Sequence, residues 1–231
     1  MASFFHDNSD LRFYFDKGVD WDAIVRVTEA DLKAPGIHAT VKDAIEFYRE
    51  IAQMVGEFSA EKIAPFAHEI DREGVLFKDG EAVFPERLQG IFDQIKELEL
   101  HGMCLPRDLG GMWAPLLVYW MCAEMIARGD VSVMAHHGFH GGIALAMLIF
   151  SLEEGTTQWD PKKLTLSKTR WEKEIKEIAR GEAWGCMDIT EPDAGSDMGA
   201  LKAVGEAGTH KILEQLADSR PVRLPLAPRF A

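Results

Sequence analysis

Residues 185–200 constrain the fold of this chain more than any other stretch. They read Gly-Cys-Met-Asp-Ile-Thr-Glu-Pro-Asp-Ala-Gly-Ser-Asp-Met-Gly-Ala. Apolar side chains recur at Cys186, Met187 and Ile189, a spacing typical of a buried strand. Pro192 ends that pattern, and Gly, Ser and Asp predominate after it. We therefore predict a buried strand followed by a loop that positions polar groups and does not pack in the core.

The loop carries groups suited to a polar ligand. Gly195 and Gly199 lack side chains, so a ligand can approach the backbone closely. Thr190 and Ser196 supply hydroxyl groups, and successive backbone N–H groups can form a concave site for an anion such as phosphate. An ordinary polar turn has the same composition, so this pattern alone indicates a ligand loop only in general terms.

Composition and charge limit the class of protein. The 231 residues suffice for one large or two ordinary domains with a sizeable core. A hydrophobic content of 47% with 27% charged residues is typical of a soluble globular protein. The net charge of -13 argues against nucleic acid as a partner, because phosphate binding needs clustered lysine and arginine.

The cysteines and the N-terminus bear on where the protein works. Cys104, Cys122 and Cys186 are odd in number and widely spaced, which indicates a reducing cytoplasm and argues against a disulfide framework or a zinc site. The first residues lack the basic segment of a signal peptide and reach Asp7 before any long apolar run. The most apolar stretch, residues 112–127, is too short for a membrane span. We expect a cytoplasmic protein.

Most of the chain between residues 40 and 181 shows the period of amphipathic helices. We predict helices over residues 40–62, 63–70, 86–100, 115–127, 132–150 and 171–179. Thr40 caps the first of them, and Ser132 caps the fifth, which is apolar nearly all round and should be buried at the centre of a domain. Residues 1–40, 71–85 and 153–170 read as irregular connections. The prediction is a mostly α chain: a helical bundle, the opening strand and loop of a β-domain, and an irregular C-terminal tail.

The order of the loop residues resembles that of a known family. Thr190-Glu191-Pro192-x-Ala194-Gly195-Ser196-Asp197 is similar to the flavin-contacting segment of the acyl-CoA dehydrogenases. Two other segments match in the right order: the turn over residues 101–111, with its Pro and paired Gly, and the Ala-x-Gly-Glu turn over residues 179–182. The pattern is most similar to the branch of the 3-methylthiopropanoyl-CoA and some long-chain dehydrogenases.

The resemblance implies four segments. Residues 1–40 would be an N-terminal arm, 41–181 the helical N-terminal domain, 182–203 the start of the middle β-domain, and 204–231 a tail outside the family pattern. That tail has little apolar surface to bury, so we expect it to be disordered. We hypothesise that translation leaves the family's reading frame near Ala203 through a frameshift. A naturally shortened protein is the alternative.

The resemblance also implies FAD as the cofactor. The positions that correspond to flavin contacts are Met187, Ile189, Thr190, Gly195 and Ser196. Backbone groups around Ile189 and the Thr190 hydroxyl would lie at the isoalloxazine edge, and Ser196 near the pyrophosphate. Many relatives have an aromatic residue in place of Met187.

For the activity, the resemblance implies dehydrogenation of an acyl-CoA thioester to a trans-2-enoyl-CoA, with electron-transferring flavoprotein as the acceptor of the full-length form. The family's glutamate base belongs to its C-terminal domain, and no residue here matches it. We therefore assign no catalytic residue and expect the chain alone to be inactive and to hold FAD poorly. Glu191 belongs to the loop motif and should serve local structure, and Asp193 replaces a usual glycine.

The alternative to an enzyme fragment is a non-enzymatic helical binding or assembly module. It would pair with a separately encoded C-terminal half. In either case the exposed apolar faces of the bundle predict association, as a homo-oligomer or with that half.

The predicted helix over residues 132–150 contains glycines and histidines whose presence in a helix needs an explanation. Its glycines cost helix stability: Gly138, Gly141 and Gly142. Close approach of another helix would explain them, and so would room for an acyl chain, as in the corresponding region of the family. His136 and His140 are one turn apart and could grip a metal, with His137 beside them. No carboxylate follows at a further ligand position and the family uses no metal, so we favour hydrogen-bonded core or pocket histidines and predict no metal site.

Overall fold

The computed structural model of the chain describes residues 2–33, 38–185, 190–192 and 194–202. Contacts divide the chain into two compact units, Met1–Cys186 and Met187–Ala231. The described part of the first unit is mostly helical, as the sequence predicts.

The α-helices of the first unit are α1 (Ser9–Phe13), α2 (Trp21–Thr28), α3 (Val41–Phe58), α4 (Ala67–Glu73), α5 (Glu86–Glu97), α6 (Leu116–Gly129), α7 (Val131–Glu153) and α8 (Glu172–Ala179). Its strands form two antiparallel hairpins, β1 (Leu76–Lys78) with β2 (Glu81–Val83) and β3 (Gln158–Asp160) with β4 (Thr165–Lys168). Single turns of 3-10 or π helix join several helices: Tyr14–Gly18, Ala30–Leu32, Ser59–Ile63, Ala64–Phe66, Leu100–Gly102 and Arg107–Leu109.

The N-terminal arm is helical, so the prediction of irregular structure before residue 40 is wrong. The side chains of Asn8 and Asp20 accept hydrogen bonds from backbone N–H groups and cap α1 and α2. Phe15 and Trp21 are buried with ring centroids 4.7 Å apart. These short helices form because they pack aromatic side chains into the core, a tertiary effect that local periodicity does not reveal.

Helix α3 begins where the sequence predicts. The Thr40 side chain accepts from the Asp43 N–H at 3.1 Å, and the Asp43 carboxylate accepts from the Thr40 N–H at 2.9 Å. This reciprocal pair is a capping box, which satisfies two otherwise orphaned donors. The helix ends in a π turn, which is followed by a 3-10 turn over Ala64–Phe66 that contains Pro65.

Two segments predicted as plain connections contain hairpins instead. Leu76 pairs with Val83 across an Asp79-Gly80 turn, a dipeptide that favours tight hairpins. The second hairpin lies within residues 153–170 and has an irregular register at Gln158 and Trp159. Both were missed because their strands are three or four residues long, too short for an alternation to stand out.

Helix α7 departs from its prediction in two respects. Its cap is Asp130, whose carboxylate accepts from the N–H groups of Ser132 and Val133 at 2.7 and 3.0 Å, so Ser132 is not the cap. The helix is not central and fully buried, because only 33% of its most apolar stretch is covered. By length and composition it is the one helix of the described residues that could cross a membrane, a test that core helices of soluble proteins also pass.

The core of the first unit consists of two clusters. The larger one joins the arm to α3, α5 and α6, and its bulkiest fully buried members include Tyr48, Phe15 and Ile95. The smaller one lies between α7 and α8 and contains Leu105, Leu109, Ala144, Leu148, Ile175, Ile178 and Ala179. Helix α7 therefore packs its inner side on α6 and α8 and leaves the opposite side uncovered.

The described part of the second unit is a short loop. Glu191 and Ala194 form an isolated bridge, and a 3-10 turn spans Met198–Ala200. The strand predicted at Cys186, Met187 and Ile189, and the tail beyond Lys202, lie outside the described residues.

Candidate functional site

The loop of the second unit is closed by its own hydrogen bonds. The N–H of Ala194 donates to the Glu191 carbonyl at 3.1 Å, and the N–H of Glu191 donates to the Ala194 carbonyl at 3.3 Å. The Glu191 carboxylate accepts from the Lys202 N–H at 2.9 Å. The predicted role of Glu191 in local structure is the role that this contact gives it, because its side chain ties the two ends of the loop together.

The loop exposes three of the predicted flavin-contacting residues. Thr190, Gly195 and Ser196 are all exposed. A Cβ at Gly195 would meet no atom within 4 Å, so the backbone there is open to a ligand. Met187 and Ile189, also predicted to contact the flavin, lie outside the described residues. The exposed hydroxyls and the open glycine fit the polar groups of a nucleotide cofactor.

Among the described residues of the helical unit, the buried carboxylate is already engaged by partners. Among the described residues, Glu29 is the fully buried carboxylate, and both of its oxygens are engaged. It accepts from the Tyr48 hydroxyl at 3.0 Å and from the Arg107 guanidinium at 2.9 and 3.2 Å. Burial and the neighbouring Glu29 charge raise the pKa of Tyr48 far above its usual value. This arrangement is a structural ion pair rather than a poised base.

Packing does not force the three glycines of α7. A Cβ at Gly138 or Gly141 would lie no closer than 3.5 Å to its neighbours, which is ordinary contact, and one at Gly142 would meet nothing within 4 Å. Tyr119 of α6 does approach, since its hydroxyl donates to the Gly138 carbonyl at 3.1 Å. That approach leaves room for alanine, so close helix packing does not account for the glycines.

The inner side of α7 contributes to a cluster of imidazole rings that we call the histidine stack: His101, His136, His137 and His140. Ring centroids are 4.5 Å apart for His136 and His140, 4.9 Å for His101 and His140, and 5.7 Å for His101 and His137. His101 comes from the turn after α5 and the other three from α7. The predicted burial is correct for His137 and His140, each 1% exposed.

Hydrogen bonding in the stack is sparser than predicted. The Nδ1 of His140 lies 2.6 Å from the His136 carbonyl, to which it donates. Six other ring nitrogens have no partner in the part of the chain that the structure describes: Nδ1 of His101, both nitrogens of His136 and of His137, and Nε2 of His140. Burial, reinforced by the neighbouring imidazoles, lowers the pKa of His101 to about 4 and those of His136 and His137 to about 3.

The rings are stacked and do not converge on a common point. Within the described ranges, no three His, Cys, Asp or Glu residues are placed to hold a metal ion. Sequence reasoning found the histidines of α7 but missed His101 and Trp184. No spacing rule links positions so far apart in the chain.

Comparison with known proteins agrees with the helical fold. The family described as "Acyl-CoA dehydrogenase, N-terminal domain" matches residues 46–166, more than half of the chain. The mitochondrial isovaleryl-CoA dehydrogenase of Pongo abelii is 29% identical over 178 residues, covering 75% of this chain and 37% of the relative.

Two further relatives are similar over comparable lengths. The 3-methylmercaptopropionyl-CoA dehydrogenase of Ruegeria pomeroyi is 26% identical over 181 residues, covering 74% of this chain and 28% of the relative. The mitochondrial isovaleryl-CoA dehydrogenase of Arabidopsis thaliana is 26% identical over 157 residues, covering 68% and 33%. The chain thus spans about a third of the length of these relatives. It belongs to the acyl-CoA dehydrogenase family, of which it carries the N-terminal domain.

Proposed function

We propose that this chain supplies the N-terminal part of an FAD-dependent acyl-CoA dehydrogenase, which converts an acyl-CoA thioester to a trans-2-enoyl-CoA. The observation that carries the proposal is the match of residues 46–166 to the family's N-terminal domain, followed by the Thr-Glu-Pro-x-Ala-Gly-Ser-Asp loop. Electron-transferring flavoprotein is the proposed acceptor, and the cytoplasm is the proposed location because the cysteine usage suits a reducing compartment.

Within this proposal the loop binds the cofactor. Thr190 and Ser196 present hydroxyls to FAD, and the open backbone at Gly195 allows its close approach. Met187 and Ile189 complete the set by resemblance. When bound, FAD supplies the hydride acceptor for the β carbon of the substrate.

Helix α7 is the proposed wall of the acyl-chain site. Gly142 is exposed, and a side chain there would extend into open space. Exposed apolar residues continue that side of the helix: Val131, Phe139, Ile149 and Phe150. An apolar surface with missing side chains suits a hydrocarbon, since burying it is favoured and the glycines leave volume for it.

The chain alone should not catalyse the reaction. Removal of the α proton needs a base in a desolvated pocket, and the described residues offer no free buried carboxylate for that role. Because the chain spans about a third of the length of its relatives, we propose that the rest of the active site comes from further polypeptide. Reading the gene through codon 203 and onward in all three frames would show where that polypeptide is encoded.

A second candidate function is a helical assembly module that pairs with a separately encoded C-terminal half. The uncovered apolar side of α7 favours it, because large exposed apolar surfaces mark interaction sites. If another frame continues with β-strands and a helical domain carrying a glutamate base, the dehydrogenase proposal stands for the extended chain. If no frame does, the pairing module becomes the better account.

The acyl-chain wall can be tested in the extended chain. Gly142→Leu should lower kcat/KM for long acyl-CoA substrates more than for short ones, because the added side chain fills the site. Gly90→Leu is the matched control, since Gly90 lies within α5 and is also open. If the two variants lowered kcat/KM equally for acyl groups of every length, α7 would not be the wall of the acyl-chain site.

A further inference from the structure

The histidine stack lies beneath the segment by which the chain leaves the helical unit. The ring of Trp184 stands at 74° to that of His136, with centroids 3.7 Å apart, and lies 4.7 Å from His140. Phe92 of α5 also stacks on His136, with ring centroids 3.9 Å apart. The imidazoles therefore form the floor on which Trp184 rests.

The same segment is fitted closely at two other points. A Cβ on Gly181 would lie 2.9 Å from the ring of His101, and one on Gly185 would lie 2.5 Å from Ile143 of α7. Residues 181–185 thus have little room to shift while the stack is closed. Backbone hydrogen bonds tie residues 181–183 to the end of α8, the shortest from the Glu182 N–H to the Glu177 carbonyl at 2.8 Å. Beyond them, Trp184 and Gly185 meet the helical unit through ring and apolar contacts.

The charges around the stack do not favour protonation. Among the described residues, the groups acting on its rings are the imidazoles themselves and the ammonium of Lys96 on α5. From α6 the stack faces the Tyr119 hydroxyl, whose pKa burial raises to about 12, so that group stays neutral. Arg180 and Glu182 flank Gly181 but are exposed and pair with each other at 3.8 Å.

We propose that the histidine stack is an acid-operated latch on residues 181–185. At neutral pH the uncharged rings hold Trp184 and the segment closed. In acid the rings take up protons in the open form, which releases Trp184 from α5 and α7. This inference rests on the geometry of the helical unit and does not depend on the dehydrogenase activity.

The linkage between protonation and opening sets how steeply the open fraction depends on pH. The ordinary histidine pKa is 6.5, and the stack lowers it in the closed form, so closure is fully favoured above pH 6.5 and weakens as the pH falls below it. Each ring that is neutral when closed and protonated when open raises the open fraction about tenfold per pH unit. Three rings face residues 181–185, those of His101, His136 and His140, and together they give a rise of up to about a thousand-fold per unit. Carboxylates, with ordinary pKa values near about 4, titrate mostly below this range.

Hydrogen exchange of residues 181–185 in the full chain tests the latch. Exchange is followed from about pH 7.5 to about pH 5 and corrected for its intrinsic pH dependence. Fluorescence is followed over the same range, and the signal of Trp184 is the difference between the wild-type chain and Trp184→Phe. We expect opening to steepen below about pH 6.5 with a slope of two to three protons. His136→Phe keeps the stacking ring and should lower the slope by about one.

His68→Gln is the matched control, because His68 is exposed on α4 and lies outside the stack. It should leave the slope unchanged. A wild-type slope of one proton or less, or an equal effect of His68→Gln and His136→Phe, would overturn the proposal. If His136→Phe fails to fold, histidine titration by NMR of the wild-type chain decides: rings of the stack that titrate singly near pH 6.5 without opening contradict it.

Discussion

Arg107 reaches across 78 positions of sequence to place its guanidinium on the completely buried carboxylate of Glu29, at 2.9 and 3.2 Å. The pair fastens the N-terminal arm to the turn before α6. The Trp113 indole strengthens the same junction by donating to the Thr28 carbonyl at 2.8 Å. The arm precedes the residues that match the family's N-terminal domain, yet it is part of the same core.

Breaking this pair should destabilise the chain. Arg107→Ala leaves the Glu29 charge buried without its main partner, and we expect a loss of about 3 kcal/mol in the free energy of unfolding. Arg26→Ala is the control, since Arg26 pairs with Asp22 on the surface and should leave the unfolding midpoint unchanged. Urea denaturation of both variants measures the difference. Similar midpoints for the two would show that the buried pair contributes little.

Substitution of glycine by alanine should have opposite effects on stability at Gly111 and at Gly142. Gly111→Ala places a Cβ against the Leu105 carbonyl oxygen, a backbone atom that cannot yield, and should cost about 3 kcal/mol. Gly142→Ala adds a Cβ in open space within α7 and should stabilise the helix by up to about 1 kcal/mol. Thermal unfolding of the two variants checks this opposition. A destabilising Gly142→Ala would mean that the outer side of α7 is covered.

The start of α7 offers a test of its cap. Asp130→Ala removes the acceptor of two backbone N–H groups and should destabilise the chain by about 1 kcal/mol. Ser132→Ala should have a much smaller effect, because Ser132 lies after the cap. Chemical denaturation of both variants distinguishes the two positions, and a larger effect at Ser132 would restore the assignment made from sequence.

The two described cysteines should be inert in the native chain. Burial raises the pKa of Cys104 to about 11 and that of Cys122 further still, so little thiolate forms near neutral pH. We expect an alkylating reagent in mildly alkaline buffer to modify neither residue until denaturant is added. Mass spectrometry of the digested protein measures the labelling. Rapid native labelling of Cys104 would show that its surroundings open readily.

The long helices could be predicted because their evidence is local. Period and capping residues locate α3 from Thr40 onward, and the paired glycines mark the turn before α6. The arm, the hairpins and the cap of α7 could not be predicted as easily. The arm is stabilised by tertiary packing, and the strands of the hairpins are only three or four residues long. For the cap of α7, the neighbouring Asp130 and Ser132 are both suitable residue types.

The candidate site divides in the same way. The loop motif fixes Thr190, Gly195 and Ser196 in one short segment, so sequence order alone brings them together. The histidine stack depends on His101 and Trp184 meeting α7 from distant positions, which no periodicity encodes. The sequence predicts exposed apolar faces on the bundle but does not assign one to α7, because an all-round apolar helix looks the same whether its cover is present or absent.

Flavin content tests the central claim most directly. FAD bound per polypeptide is measured for the purified 231-residue chain and for the chain extended by the polypeptide encoded beyond codon 203. The account predicts that the chain alone retains far less than one FAD, because its loop provides only part of the site, and that the extended chain retains about one. Stoichiometric FAD on the chain alone, or an extended dehydrogenase chain without FAD, would contradict it.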